Sequence, residues 1–223
     1  MLLGISIVLF AAALLDFEAL KKGKIAIVEP IYALEVPVAA ILAFSVIKES
    51  VDMIQLLLIS LLVIGLVLVS LKSTKFSKKI WIEKGVILAV IGSVFMGVTN
   101  FLVGFASRVT NALVVNWFIS VFLTLVCLFY IMSNHRMGKL IHDFENNKKL
   151  LLSMSLLDNL AWVAFAIAMT LIPIIIAVAL SESYIALAAL LGMAIGKEKL
   201  LIHQKFGLCV ALSCAIILAV LLP

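Results

Sequence analysis

Carboxylic acids stand inside apolar runs of this chain at Glu35, Asp158 and Glu182. An ionisable side chain at the centre of a spanning helix costs roughly 2.5–3.5 kcal/mol on insertion scales, so such residues are functional candidates by default. Burial disfavours the charged form of a carboxyl. A carboxyl that takes a proton at modest pH suits proton coupling, and one that stays ionised suits a cationic ligand group. Glu35 and Glu182 are the expected pair of midplane acids. Asp158 lies one helical turn before Trp162 and shares its face. The alternative for each acid is a neutral, hydrogen-bonded tie between helices. Glu29 lies nearer a surface and can be solvated from there.

Trp162, Trp117, Asn159, Asn116 and Asn100 add aromatic faces and amides, which suit the wall of a cavity for a small amphipathic ligand. The same residue types also serve helix packing and interfacial belts. Trp81 falls at an apolar edge and reads as a belt residue. Pro30 and Pro37 flank Glu35; each removes a backbone donor and permits a kink, so both are expected hinges.

Other chemistries find no residues. His135, His142 and His203 all lie outside helix interiors, so neither a buried metal site nor a Ser-His dyad is expected. Cys127, Cys209 and Cys214 sit in apolar runs without zinc-ligand spacing and read as small packing residues. There is no P-loop and no Gly-rich dinucleotide fingerprint, so no cofactor is expected. The polar loops are too short for a catalytic domain, and no catalytic residues are assigned.

The elements that must hold these residues are membrane-spanning helices. Of 223 residues, 65% are hydrophobic and 13% charged. A soluble domain averages ~45–50% apolar and ~25% charged, so lipid must cover most of this exterior. A span needs ~20 apolar residues. Eight fit, at about 2–18 (A), 25–47 (B), 53–71 (C), 85–107 (D), 111–133 (E), 150–172 (F), 174–195 (G) and 201–222 (H). Pro173 marks the F/G turn. The first run lacks the basic start of a signal peptide and is read as a retained helix. The expected fold is an all-α membrane protein with the bilayer as its main surroundings.

The net charge of +5 follows this layout rather than nucleic-acid binding. Alternate loops hold 15 of the 17 Lys and Arg residues, and the opposite side holds Lys48 and Arg108. The positive-inside rule makes the richer side cytoplasmic, with both termini outside.

The chain also repeats itself. Lys48-Glu49 closes span B and Gln55 follows; Lys197-Glu198 closes span G and Gln204 follows, each residue displaced by 149. Spans A–C therefore correspond to F–H. The parity of crossings inverts the two copies, an arrangement typical of alternating-access carriers with a midplane site. The expected division is a first repeat at 1–72, a basic connecting loop at 73–84 and a second repeat at 85–223. Glu49 and Glu198, ending helices beside Lys, are expected to be structural. Gly192-x-x-x-Gly196 is a spacing used both by homodimers and by helix pairs within one chain.

These motifs resemble the EamA-like branch of the drug/metabolite transporter superfamily. The second copy carries Gly196, Glu198, Gln204 and Gly207 in the family's pattern; the first has Glu49 and Gln55 but Leu58 at the glycine position. Pro37 is similar to the family's mid-helix proline, where the second copy has Ser181-Glu182-Ser183-Tyr184 and no proline. The resemblance lacks the first two of the usual ten helices. It implies a three-helix remnant followed by a five-helix inverted copy. It also implies a secondary transporter of a small metabolite or drug-like molecule, an exporter in the cell (plasma) membrane. Many members are expected to keep both termini in the cytoplasm, opposite to the charge distribution here. A flippase for a lipid-linked metabolite and a non-transporting membrane subunit are the competing expectations.

Overall fold

The computed structural model describes residues 1–23, 25–71, 84–195, 197 and 199–221. Most of the basic connecting loop, Trp81, Gly196 and the repeat-motif Glu198 lie outside the described residues.

The described residues form ten α-helices: α1 (Leu2–Lys22), α2 (Ile25–Tyr32), α3 (Glu35–Ile47), α4 (Met53–Ser70), α5 (Lys84–Val109), α6 (Ala112–Ser133), α7 (Met137–Leu171), α8 (Ile174–Glu182), α9 (Tyr184–Ala194) and α10 (Ile202–Val220). Two pairs, α2/α3 and α8/α9, each make one broken span. Eight crossings of membrane length and composition result. Among the described residues there is no strand. In hydrocarbon a continuous helix satisfies its backbone internally.

The breaks have different local causes. Pro37 removes the N–H that would bond to the carbonyl of Ala33, and α2 ends one residue before it. The Leu34 N–H turns back to Ile31 O at 2.9 Å. In the second pair Ser183 replaces the proline's effect. Its N–H and hydroxyl both donate to Leu180 O, at 3.1 and 2.6 Å, which tightens the turn and stops α8. Shifted by 149 residues, Leu34 falls on Ser183, so the two breaks coincide.

Other details recur at the same displacement. Lys48 and Lys197 both adopt left-handed backbone, with φ of 55° and 52°. Gln55 Oε1 accepts the Asp52 N–H at 3.1 Å, and Gln204 Oε1 accepts the Leu201 N–H at 2.9 Å. The repeated glutamine thus reaches back to cap α4 and α10, the reciprocal half of a capping box. Gln204 also donates to Val69 O at 3.0 Å, tying α10 to α4.

Packing is densest around α5, which touches α1, α2, α3, α6, α7 and α8. The α4/α10 pair meets backbone to backbone: a Cβ at Gly207 would stand 2.7 Å from Gly65 O and 2.6 Å from Leu68 Cβ. In the repeat relation Leu58 answers Gly207 and Cys214 answers Gly65, and all four are buried. Leu58 at the first copy's glycine position is thereby absorbed into the core.

The sequence reading needs two corrections. Spans B and G are each two helices rather than one. The polar stretch 134–149, read as a loop, is helical from Met137 and forms the first part of α7. Helix formers such as Lys139, Leu140 and Glu145 carry the helix out of the apolar zone. Asn147, at φ −124° and ψ 22°, is a joint inside it.

The α4/α10 contact makes a prediction. Gly207→Val should lower stability by about 1–3 kcal/mol through overpacking, read as a lower unfolding temperature in detergent. Cys209→Val, on the exposed side of α10, should shift it by less than about 0.5 kcal/mol.

Candidate functional site

Each helix break presents a carboxyl to one cavity. Glu35 is the first residue of α3 and Glu182 the last residue of α8, so each acid sits beside an interruption in its span. Both are 8% exposed, and both line a cavity of about 800 Å³. That volume falls within the range of small-molecule sites. Asp158 from α7 and Asp16 from α1 complete a set of four carboxyls. Tyr32, Trp162, Phe165 and Tyr184 supply ring surface, and Asn100 an amide.

The supporting contacts are specific. Asn100 Nδ2 donates to Glu35 Oε2 at 3.2 Å. One turn earlier on α5, Gly97 lets α3 approach; a Cβ there would lie 2.8 Å from Glu35 O. Tyr32 donates its hydroxyl to Asp16 O at 3.2 Å and so ties α2 to α1. A Cβ at Gly92 would overlap the Asp16 carboxyl, so the glycine makes its space. Trp162 and Phe165 meet edge to face, with centroids 6.0 Å apart. Among the described residues, Glu182 has no hydrogen-bond or ion-pair partner, and Asp16 Oδ1 is buried without one.

The cavity lies toward the lysine-rich ends of the helices. Its α7 wall runs from Met154 to Phe165, and Asp16 lies near the Lys21-Lys22 end of α1. Beyond it the bundle is solid. Ile5, Val103, Val115, Met169, Ile174 and Ile176 are enclosed there. A Cβ at Gly104 would collide with Ile174 and Met169, where α5, α7 and α8 converge.

A polar latch closes that solid end. Glu49 Oε2 accepts the Ile174 N–H at 2.8 Å and sits 3.4 Å from the Ile175 N–H, capping α8 just after Pro173. Its other oxygen pairs with Arg108 Nη2 at 2.9 Å. Arg108 in turn donates to Met169 O at 2.7 Å and Ile172 O at 2.8 Å, the last carbonyls of α7. One carboxylate and one guanidinium thus hold the ends of α3, α5, α7 and the start of α8.

Among the sequence candidates, Glu35, Glu182, Asp158, Trp162 and Asn100 come together in the cavity. Asn116, Asn159 and Trp117 do not. Asn116 bonds to Ala112 O in its own helix at 3.0 Å, and Asn159 to Ser155 O at 2.8 Å. Trp117 is 67% exposed on the lipid-facing surface. Pro30 is buried within α2, and Pro37 sits in the first turn of α3. Asp16, Tyr32 and Tyr184 were missed. Asp16 carried the same signal as Glu35, a carboxyl inside an apolar run. The tyrosines had no sequence mark separating them from belt residues. Among the described residues no cluster of His, Cys, Asp and Glu is placed to hold a metal ion.

The latch predicts coupled stabilities. Glu49→Gln and Arg108→Gln should each cost about 1–3 kcal/mol, because each strands buried partners. The double variant should fall short of their sum by about 1 kcal/mol, the signature of a shared interaction. Thermal unfolding of the four proteins in one detergent measures this.

The model of the EamA-like transporter family matches residues 83–220, more than half of the chain, from α5 through α10. A comparison with curated proteins finds no match.

Proposed function

Because this chain belongs to the EamA-like transporter family, we propose that it is a secondary carrier for a small metabolite or drug-like molecule. It works by alternating access and exports its substrate, with Glu35 and Glu182 as the proton-coupling and binding acids. The observation that carries this reading is the meeting of both acids in one cavity, each beside a break in its span. A broken span leaves backbone and side chain free to face a cavity, as carriers with midplane sites require.

The cavity's position favours loading from the lysine-rich side, which the positive-inside rule assigns to the cytoplasm. The Glu49–Arg108 latch closes the opposite end. In the alternate state the latch opens and the cavity closes toward the lysines. Trp162 and Asn100 belong to the binding wall, and Pro37 with Ser183 to the flexing points. The cell membrane is the location this activity serves.

A second reading, flipping of a lipid-linked metabolite, is favoured by one observation. Leu157 and Asp158 line the cavity from α7 and are both exposed, so little protein covers it there. A wall that thin admits a lateral path for a lipid tail. Vesicles that flip a lipid-linked sugar but carry no water-soluble solute would select this reading.

Ligand classes are found by thermal stabilisation with amino acids, amines, nucleosides, sugars and cationic drugs. A ligand at a hundred times its Kd stabilises the folded state by about 2.7 kcal/mol. In proteoliposomes with an imposed pH gradient, Glu35→Gln and Glu182→Gln should each lower proton-driven flux more than tenfold. Full flux with unchanged pH dependence in both variants would refute the assignment.

Orientation has its own test. In a cysteine-free background, a C-terminal Cys on intact cells should react with an impermeant maleimide. Reaction only after permeabilisation would reverse the orientation and the direction of loading.

A further inference from the structure

The cavity wall is one-sided in charge. It carries four carboxyls, from α1, α3, α7 and α8, and among the described residues no Lys, Arg or His. On α1, Lys22 is engaged by Glu18, and neither lines the cavity. We propose, resting on the carrier reading, that the substrate is an organic cation: an ammonium or guanidinium head on an apolar, ring-sized body.

Three independent features converge on that class. The first is the state of the acids. Glu35 has a donor in Asn100, whereas Glu182, 92% buried by its 8% exposure, faces the cavity without a partner among the described residues. A buried carboxylate needs a counter-charge or a donor, and a cationic head supplies both.

The second feature is the rings. Tyr32 and Tyr184 lie beside the two breaks, and Trp162 faces them from α7. Aromatic faces attract cations through the ring quadrupole, most strongly where water is excluded, and Trp is the best of the three ring types. An anion would meet four carboxyls and these same negative ring faces. A neutral polar solute could donate to Glu182 but would leave its charge uncompensated.

The third is shape and lining. Met96, Met154 and Leu157 give the rest of the wall an apolar, adaptable surface. This suits a hydrocarbon body behind a charged head better than a sugar, which has no apolar body to set against that surface.

The test uses three probes of similar size at fixed neutral pH: benzylammonium, benzyl alcohol and benzoate. Binding to the full chain in a neutral detergent is measured by calorimetry. Benzylammonium should bind at least tenfold tighter than either other probe. Glu182→Gln should weaken it at least tenfold and Trp162→Leu severalfold, while Glu18→Gln, outside the cavity, leaves it unchanged. Equal or tighter binding of benzyl alcohol or benzoate, undiminished binding in Glu182→Gln, or no binding of any probe to folded protein would overturn the inference. Uptake of labelled probes into zwitterionic-lipid vesicles separates the two readings. A cation that binds but is never carried sinks the carrier reading and keeps the cation site. A neutral or anionic probe carried in place of the cation does the reverse.

Discussion

Every peptide group that a helix leaves unbonded in hydrocarbon must find another partner. That requirement organises this structure more than apolar packing does, because lipid tails compete with side chains for apolar contact. Continuous helices meet it without help. The two broken spans and the helix ends do not, and nearly all the informative polar side chains are found serving them. Ser93 stands 3.2 Å from Ile31 O at the first break, and Ser183 back-bonds at the second. Gln55 and Gln204 cap α4 and α10. Glu49 caps α8 while Arg108 collects the terminal carbonyls of α7. The side-chain carboxyls of Glu35 and Glu182, which have no such backbone task, face the cavity instead.

The same requirement explains why the two copies agree in conformation more than in residue type. Lys48 and Lys197 share a left-handed backbone. Pro37 at one break has no proline opposite it, yet the span is interrupted at the corresponding place by Ser183. The interruption is what the fold preserves. The residue that causes it is free to differ, provided the loose carbonyls are satisfied.

Much of the architecture could be read from hydropathy. All eight spans, the Pro173 turn and the 149-residue displacement were legible because each rests on long runs or on fixed spacing. The acids at 35, 158 and 182 were legible because a carboxyl in an apolar run is costly. Other features were not. The interruption at Ser183 depends on a hydroxyl geometry that serine adopts only sometimes. Asn116 and Asn159 are polar in sequence but spend their amides on their own helices. Trp117 shows that an indole says nothing about which face of a helix it occupies when both faces are apolar. The early start of α7 was hidden because polar residues between apolar runs were equated with a loop, although helix propensity there is good.

The uneven burial of α7 has a mechanical meaning. Its 35 residues are anchored near one end, where Ala166 and Met169 are the buried side chains, and the latch grips its last carbonyls. The remainder runs outward with little behind it. Such a helix is a cantilever clamped at Met169. At 1.5 Å per residue, the arm back to the joint at Asn147 is roughly 33 Å, so a tilt of about 5° at the clamp sweeps its tip through roughly 3 Å. Asp158 and Trp162 ride on that arm at intermediate radius. Small strains at the clamped end are thereby geared into larger displacements of the cavity wall, and the stiffness of one helix sets how far that wall travels.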